Sequence, residues 1–400
     1  MTILSRRLLT VRPSATKAVT AEARRLAAEG LPIIALSQGE PDFDTPEAVR
    51  AAGKRAIDEG RTRYTEVGGI APLREAIAAR FEHAHGLVYD PAAITVGAGA
   101  KQLLFNALLA TLDEGDEVLI PTPSWPSYPE MVNLAGGRPR LLRCAAANGF
   151  KLDPDALDAA IGPRTKWLLV NSPSNPTGAT YDRAELAAIA EVLRRHPHVW
   201  VLSDDIYGRL VYDVAFANLP AVDGELAART LLVDGVSKSH AMTGWRLGYA
   251  AGPAELVRAM NTIQSQTTSH ASSISQHAAL AALAGDDGSV ERFRETYRER
   301  RDYVSARVAA MPGLDCVVPA GAFYLFPSCR ELLGRRTAGG STIGGDADFA
   351  MYLLRDFHVA VVPGTAFDGP GHFRMSFASG MGDLSEACDR MAAACAALQA

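Results

Sequence analysis

Short, mostly apolar runs bounded by Gly, Pro, Asp or Asn recur through the middle of the chain, at residues 94–96, 117–120, 167–170, 199–202 and 230–233. Near-continuous apolar runs of this length predict strands of a mainly parallel sheet covered on both faces. Between them, residues 101–112 and 183–195 have helical periodicity. In the second, Leu186, Ile189, Ala190 and Leu193 stand at i, i+3, i+4 and i+7, the spacing of one helix face. This β-α-β alternation predicts a large α/β domain over residues 51–290.

The texture then changes. Residues 290–311 read as a long charged helix, and residues 316–326 and 359–362 as strands. A Gly-rich loop at 338–345 precedes a helix at 347–355, and a last helix spans about 384–398. Residues 291–400 therefore read as a smaller α+β domain. No internal repeat is visible.

Composition narrows the class. Of 400 residues, 48% are hydrophobic and 21% charged, which excludes a disordered or fibrous chain. A net charge of −5 argues against a nucleic-acid footprint. Five cysteines without a CxxC pair fit a reducing compartment and no structural zinc. Cys316, Cys329 and Cys388 read as core residues. The N-terminus lacks the apolar core of a signal peptide, and no run reaches the roughly 18 apolar residues of a membrane span. A cytoplasmic protein, with no membrane or nucleic-acid partner, is expected. The histidine pairs His83/His85 and His196/His198 lack a third ligand, so no metal site is expected. His240 reads as packing. The doublets Arg24-Arg25 and Arg300-Arg301 read as solvated helix faces or ion pairs.

In open α/β domains ligands bind beyond the carboxyl ends of the strands, which singles out four segments. After residue 96, Gly99, Ala100 and Lys101 open a helix; small residues there allow backbone N–H groups to approach a phosphate, and they equally suit a tight turn. After residue 170, the rigid loop NSPSNPTG holds the Asn175 amide, or is an ordinary turn. After residue 202, Asp204 and Asp205 are adjacent carboxylates that need partners, with Tyr207 three residues beyond Asp204. After residue 233, Lys238 lies in a turn rich in small residues, with Ser237 beside it and Arg246 eight positions on. A lysine near other cations has a lowered pKa and forms carbonyl adducts. A phosphate cradle, an amide, a carboxylate with a phenol, and a lysine with an arginine together suit pyridoxal phosphate.

The motifs SQGEPDFDTP (37–46), YTEVGGIAPLREAI (64–77), NSPSNPTG (171–178), SDDIY (203–207), SKSHAMTGWRLGY (237–249), PAGAFYLF (319–326) and FRMSFA (373–378) follow one another in order. With them, nearly the whole chain resembles the fold-type-I pyridoxal-phosphate aminotransferases of class I/II, most of all the bacterial aspartate or aromatic branch. The resemblance implies a homodimer with a mainly parallel mixed sheet in the large domain. The N-terminal segment, residues 1–50, would form an arm and join the small domain.

Residue roles follow from the resemblance. Lys238 matches the lysine that carries the cofactor aldehyde and shuttles the proton. Asp204 matches the partner of the pyridine nitrogen, Tyr207 and Asn175 the partners of the ring oxygen, and Trp125 the aromatic stacked on the ring. Gly99, Ala100, Lys101, Ser237 and Arg246 match the phosphate cup, with Tyr64 reaching it from the neighbouring subunit. Arg374 matches the clamp for the substrate α-carboxylate, beside Gly39, Trp125 and Asn175. The implied reaction moves an amino group between an L-amino acid and a 2-oxo acid such as 2-oxoglutarate.

Two departures stand out. Gly235 occupies a position where some relatives have serine. Between Met260 and Val290 there is no Arg or Lys, where animal-type aspartate aminotransferases keep a second arginine for a distal carboxylate. Side-chain choice is expected to depend on residues 14–17, including Thr16 and Lys17, on Gly39, and on residues 125–128. A lyase or decarboxylase on the same scaffold is the alternative enzyme, and a cofactor-binding regulator the alternative from another class.

Overall fold

The computed structural model describes residues 3–11, 15–285 and 287–399; within these, the side chains of Arg6, of residues 15–18 and of Thr20 are not described. Twelve strands occur among the described residues: β1 (Ile34–Ala35), β2 (Ile94–Gly97), β3 (Glu117–Thr122), β4 (Arg138–Arg143), β5 (Thr165–Asn171), β6 (Trp200–Asp204), β7 (Thr230–Gly235), β8 (Gly248–Ala251), β9 (Tyr324–Leu325), β10 (Val359–Ala360), β11 (Val362–Pro363) and β12 (Phe373–Ser376).

Seven of them form one sheet in the order β2-β8-β7-β6-β5-β3-β4. The pairs β3–β4, β3–β5, β5–β6 and β6–β7 are parallel, whereas β8 runs antiparallel to both β7 and β2. The carboxyl ends of six strands therefore meet at one edge. Both faces are covered. Leu103, Leu104 and Leu108 pack with Val118, Ile120 and Leu202 on one side, and Leu186, Ile189 and Leu193 pack with Leu168, Val170 and Val201 on the other. This is the α/β arrangement expected from the apolar runs.

The helix Arg183–Arg195 starts where its sequence allows. Asp182 accepts from the Glu185 N–H at 2.8 Å, and the Glu185 side chain accepts from the Asp182 N–H at 2.8 Å, a reciprocal cap. At the sheet edge Gly97, Gly248 and Gly235 lie side by side in register. A Cβ on Gly248 would come within 2.3 Å of the Ala100 nitrogen, so glycine there lets the helix Ala100–Thr111 begin directly against the sheet.

A three-stranded antiparallel sheet, β11-β12-β9, and the parallel pair β1–β10 lie outside the large sheet. Their side chains join a second core with the helices Ser289–Ala309, Asp346–Phe357 and Met381–Ala397, among them Val304, Tyr324, Phe349, Phe373 and Leu384. Two expected strands are corrected. Residues 316–326 contribute only β9: Pro319 has no N–H to pair, Gly321 packs on Pro173, and Ala322 adopts φ 58. Residues 359–362 split into β10 and β11, which belong to different sheets. Strands β4 and β8 have no strong apolar run; β4 is an edge strand with four exposed residues, two half-buried ones and none buried. No helix among the described residues is long and apolar enough to cross a membrane.

Candidate active site

The strand ends open onto a cleft of about 580 Å³. Lys238 reaches it from the turn after β7, which is pinned by the fully buried Val236 and Met242. Within the turn, the His240 N–H donates to Val236 O and the Met242 N–H to Ser237 O, both at 3.1 Å. Lys238 Nζ donates to Gly39 O at 2.6 Å. Burial lowers the Lys238 pKa to about 8; Arg374 and Arg246 act in the same direction, against the opposing charges of Glu40 and Asp204.

Asp204 ends β6, paired in register with Asn171 of β5 and Val233 of β7. Strand alternation separates the adjacent carboxylates. Asp204 lines the cleft, where the Tyr128 hydroxyl donates to its Oδ2 at 2.7 Å and the Ile206 N–H to its Oδ1 at 3.3 Å. Asp205 points elsewhere, accepting from Ser203 Oγ at 2.6 Å and Asn218 Nδ2 at 3.0 Å. Burial raises both, Asp204 to about 6 and Asp205 to about 7, against the hydrogen bonds each receives.

Arg374 enters from β12. Its Nη1 donates to Asn175 Oδ1 at 2.9 Å and its Nη2 to Ser37 O at 2.8 Å, while its buried Nε has no hydrogen-bond partner. The guanidinium lies 4.4 Å from the Tyr324 ring centroid and 5.0 Å from that of Phe367. The Tyr324 and Tyr207 hydroxyls are hydrogen-bonded at 2.8 Å. A Cβ on Gly39 would stand 2.7 Å from the Tyr324 hydroxyl oxygen, so only glycine passes there. Asn171 braces the two loops: its Nδ2 donates to Asp204 O, and its Oδ1 accepts from the Asn175 N–H, each at 2.9 Å.

At the far end Gly99, at φ 91, precedes the helix Ala100–Thr111. Its missing Cβ would lie 2.7 Å from Arg246 Nη2, so the guanidinium sits against the positive end of that helix. Arg246 Nη1 donates to Thr243 O at 3.0 Å, and Ser237 also lines the cleft. Lys101 Nζ lies 4.5 Å over the Trp125 ring and donates to Ser127 Oγ at 3.1 Å. A Cβ on Gly235 would come 3.1 Å from Ile206 Cδ1 and 3.2 Å from Gly248 Cα, which leaves little room for serine.

Gly39, Ala100, Lys101, Trp125, Asn175, Asp204, Tyr207, Ser237, Lys238, Arg246 and Arg374 thus line one cleft, with Gly99 adjoining it. Tyr64 is outside: it is 91% exposed, with its ring edge-on to His270. Ser14 and the side chains of Thr16 and Lys17 lie outside the described residues.

The arginine doublets are solvated or ion-paired, as expected. Arg25 is paired with Glu22 and Glu29, but its neighbour Arg24 lines the cleft. Arg300 and Arg301 are the ion-paired case and are buried as well, Arg300 with Asp42 at 2.8 Å and Arg301 with Asp213 and Asp302. His240 is buried behind the site, its Nδ1 2.9 Å from Ser239 Oγ, and burial lowers its pKa to about 3. Tyr324 and Asn171 fall within two of the sequence motifs, which by themselves mark no role for either. Arg24 has no local pattern that marks it.

The chain as a whole is similar to known proteins. The family model for class I and II aminotransferases matches residues 32–391. An aspartate/prephenate aminotransferase of Cereibacter sphaeroides is 54% identical over 399 residues, spanning 100% of both chains. The crystal structure of the aspartate aminotransferase from Rhizobium meliloti superposes with a TM-score of 0.97 at 48% identity, covering 100% of each chain. That of the Thermus thermophilus aspartate aminotransferase with maleate gives 0.92 at 42%, covering 98% of this chain and 100% of the other.

Proposed function

The chain belongs to the class I and II aminotransferases, and on that premise we propose that it uses pyridoxal 5′-phosphate, held on Lys238, to move amino groups between an aspartate-type or aromatic L-amino acid and 2-oxoglutarate. The observation that carries this reading is the buried Lys238 amine, its pKa lowered to about 8, sharing one cleft with Asp204, Arg246 and Arg374. The site fits the group. Gly99 leaves the backbone bare beside Arg246, as a phosphate cradle requires, and the orphaned Nε of Arg374 keeps a donor for a carboxylate.

When bound, the cofactor supplies an electron sink for negative charge at the substrate α-carbon. The chain supplies the rest. The helix N-terminus, Ser237 and Arg246 hold the phosphate end. Asp204 places a carboxylate for the pyridine nitrogen, and Tyr207 and Asn175 polar groups for the ring oxygen. Trp125 offers a ring face. Arg374 grips the α-carboxylate with its planar fork. With both ends fixed, Lys238, its pKa lowered to about 8, would be the group that takes the proton from the substrate α-carbon and passes it to the carbon of the cofactor's aldehyde.

Arg24 and Lys101 line the same cleft and supply cations for a distal carboxylate, which the stretch between Met260 and Val290 does not. The Cereibacter relative's aspartate/prephenate name, and maleate in the Thermus structure, support a dicarboxylate substrate. Trp125, Tyr324 and Phe367 offer apolar surface to an aromatic side chain. The reading includes a homodimer in which the exposed Tyr64 reaches the neighbouring copy's phosphate. It also includes a two-domain division, 51–290 against 1–50 with 291–400. Five free cysteines support a cytoplasmic setting.

The test is a half-reaction. Purified enzyme given an amino donor and no acceptor should release one equivalent of 2-oxo acid per cofactor-loaded site and then stop until 2-oxoglutarate is added. Release of carbon dioxide or ammonia without that stoichiometric limit would mean a lyase or decarboxylase.

A further inference from the structure

Beyond its membership of the 125–128 segment expected to influence side-chain choice, Tyr128 has no role assigned above. Its side chain is 1% exposed, and its ring stands edge-on to Trp125 at 5.2 Å. A purely apolar filler would need no oxygen there. The oxygen has one use: it donates to Asp204 Oδ2 at 2.7 Å. The phenol is the donor and the carboxylate the acceptor, in keeping with burial and the adjacent carboxylate, which push the phenol well above its ordinary value.

We propose that Tyr128 is a positioning residue for Asp204, whose hydroxyl keeps that carboxylate ionised and oriented toward the cleft and so strengthens its hold on the pyridine end of the cofactor. The proposal rests on the reading of Asp204 given above. A buried carboxylate has lost its hydration and tends to take up a proton. The charged and titratable groups acting on Asp204 are Tyr128, Asp234 and Lys238, with Tyr207 beside it and the neighbouring carboxylate of Asp205 opposing its charge. Asp234 disfavours the anion and Lys238 favours it. Its hydrogen bonds come from Tyr128 and the Ile206 N–H, the latter longer at 3.3 Å. Removing the phenol oxygen leaves one weak donor against burial and Asp234. A carboxyl that then takes a proton at neutral pH cannot offer a charge-assisted bond to a pyridinium.

The experiment compares wild type, Tyr128→Phe, Asp204→Asn and the double variant, each loaded with pyridoxal 5′-phosphate. The readouts are the cofactor dissociation constant, the absorbance spectrum across pH, and thermal unfolding. Tyr128→Phe keeps the ring; if that chain does not fold, Tyr128→Leu serves the same comparison. The expected result is about tenfold weaker cofactor binding, the size of one bond to a charged group. A displaced pH midpoint in the spectrum is also expected, with a kcat lowered more than KM is raised. In the Asp204→Asn background the same change should cost little more. Unchanged affinity and an unchanged spectral midpoint in Tyr128→Phe would reduce Tyr128 to packing and overturn the proposal. A wild-type chain that binds no cofactor would instead overturn the reading of the site, and the proposal with it.

Discussion

Arg374 Nη1 donates to Asn175 Oδ1 at 2.9 Å, joining two residues 199 positions apart across the floor of the cleft. One comes from a strand of the small antiparallel sheet, the other from the loop after β5. Closing the chain over that distance is what creates the site.

Arg374→Ala should therefore weaken every amino donor alike, because the α-carboxylate is common to all. Two charge-assisted bonds predict a loss in kcat/KM of about 10²- to 10⁴-fold. Arg374→Lys should recover little, since an ammonium cannot replace a planar fork. Steady-state kinetics with three unlike donors checks this. A loss confined to one donor would assign the guanidinium to side-chain recognition.

Asp205 should prove a stability residue, whereas Asp204 serves the cofactor. The folded-state pKa of Asp205, about 7, lies above its ordinary 3.8. The stability it contributes is thus fully present below about pH 4 and is lost as pH rises through about 7. Asp205→Asn cannot lose a proton. Relative to wild type, its unfolding free energy in urea should improve between about pH 5 and pH 8. A difference that stays flat over that range would place the Asp205 titration elsewhere.

Lys238 should capture the cofactor as its free amine. Burial lowers its pKa to about 8, so the neutral form prevails above that value. The rate of cofactor uptake by the apoenzyme should climb through about pH 8 and level off. A rise continuing toward pH 10.5, the ordinary lysine value, would mean that the amine is solvated before loading.

Arg24 should contribute to dicarboxylate preference only modestly, being an exposed cation at the cleft wall. Arg24→Ala is expected to raise KM for aspartate about two- to fivefold, the range of an exposed ion pair, and to leave phenylalanine unaffected. Equal effects on both donors would indicate a general change in the cleft.

Which parts were legible in the sequence follows from how local each cause is. The helix Arg183–Arg195 was readable because its apolar stripe and its cap, Asp182 with Glu185, lie within one short segment. The strand ends bearing Asp204 and Lys238 were readable because apolar runs lead directly to them. Strand β4 was not, since RPRLLR lies at a sheet edge, largely exposed, and has no apolar run. The Tyr128–Asp204 bond spans 76 positions and leaves no pattern in either segment. Arg24 and Arg25 look identical in sequence. Only the folded chain shows that one is tied to Glu22 and Glu29 and the other turns toward the cleft.

The central claim is that Lys238 carries the cofactor. The chain has six lysines, at 17, 54, 101, 151, 166 and 238, and among the described side chains only Lys101 and Lys238 line the cleft. Borohydride converts a carbonyl–amine linkage into a stable one, so reduction of the loaded enzyme followed by peptide mapping identifies the attachment site. The phosphopyridoxyl mass should fall on the peptide containing Lys238, and Lys238→Ala should leave a folded chain with no label and no turnover. A label on Lys101, or on any other lysine, would contradict the assignment.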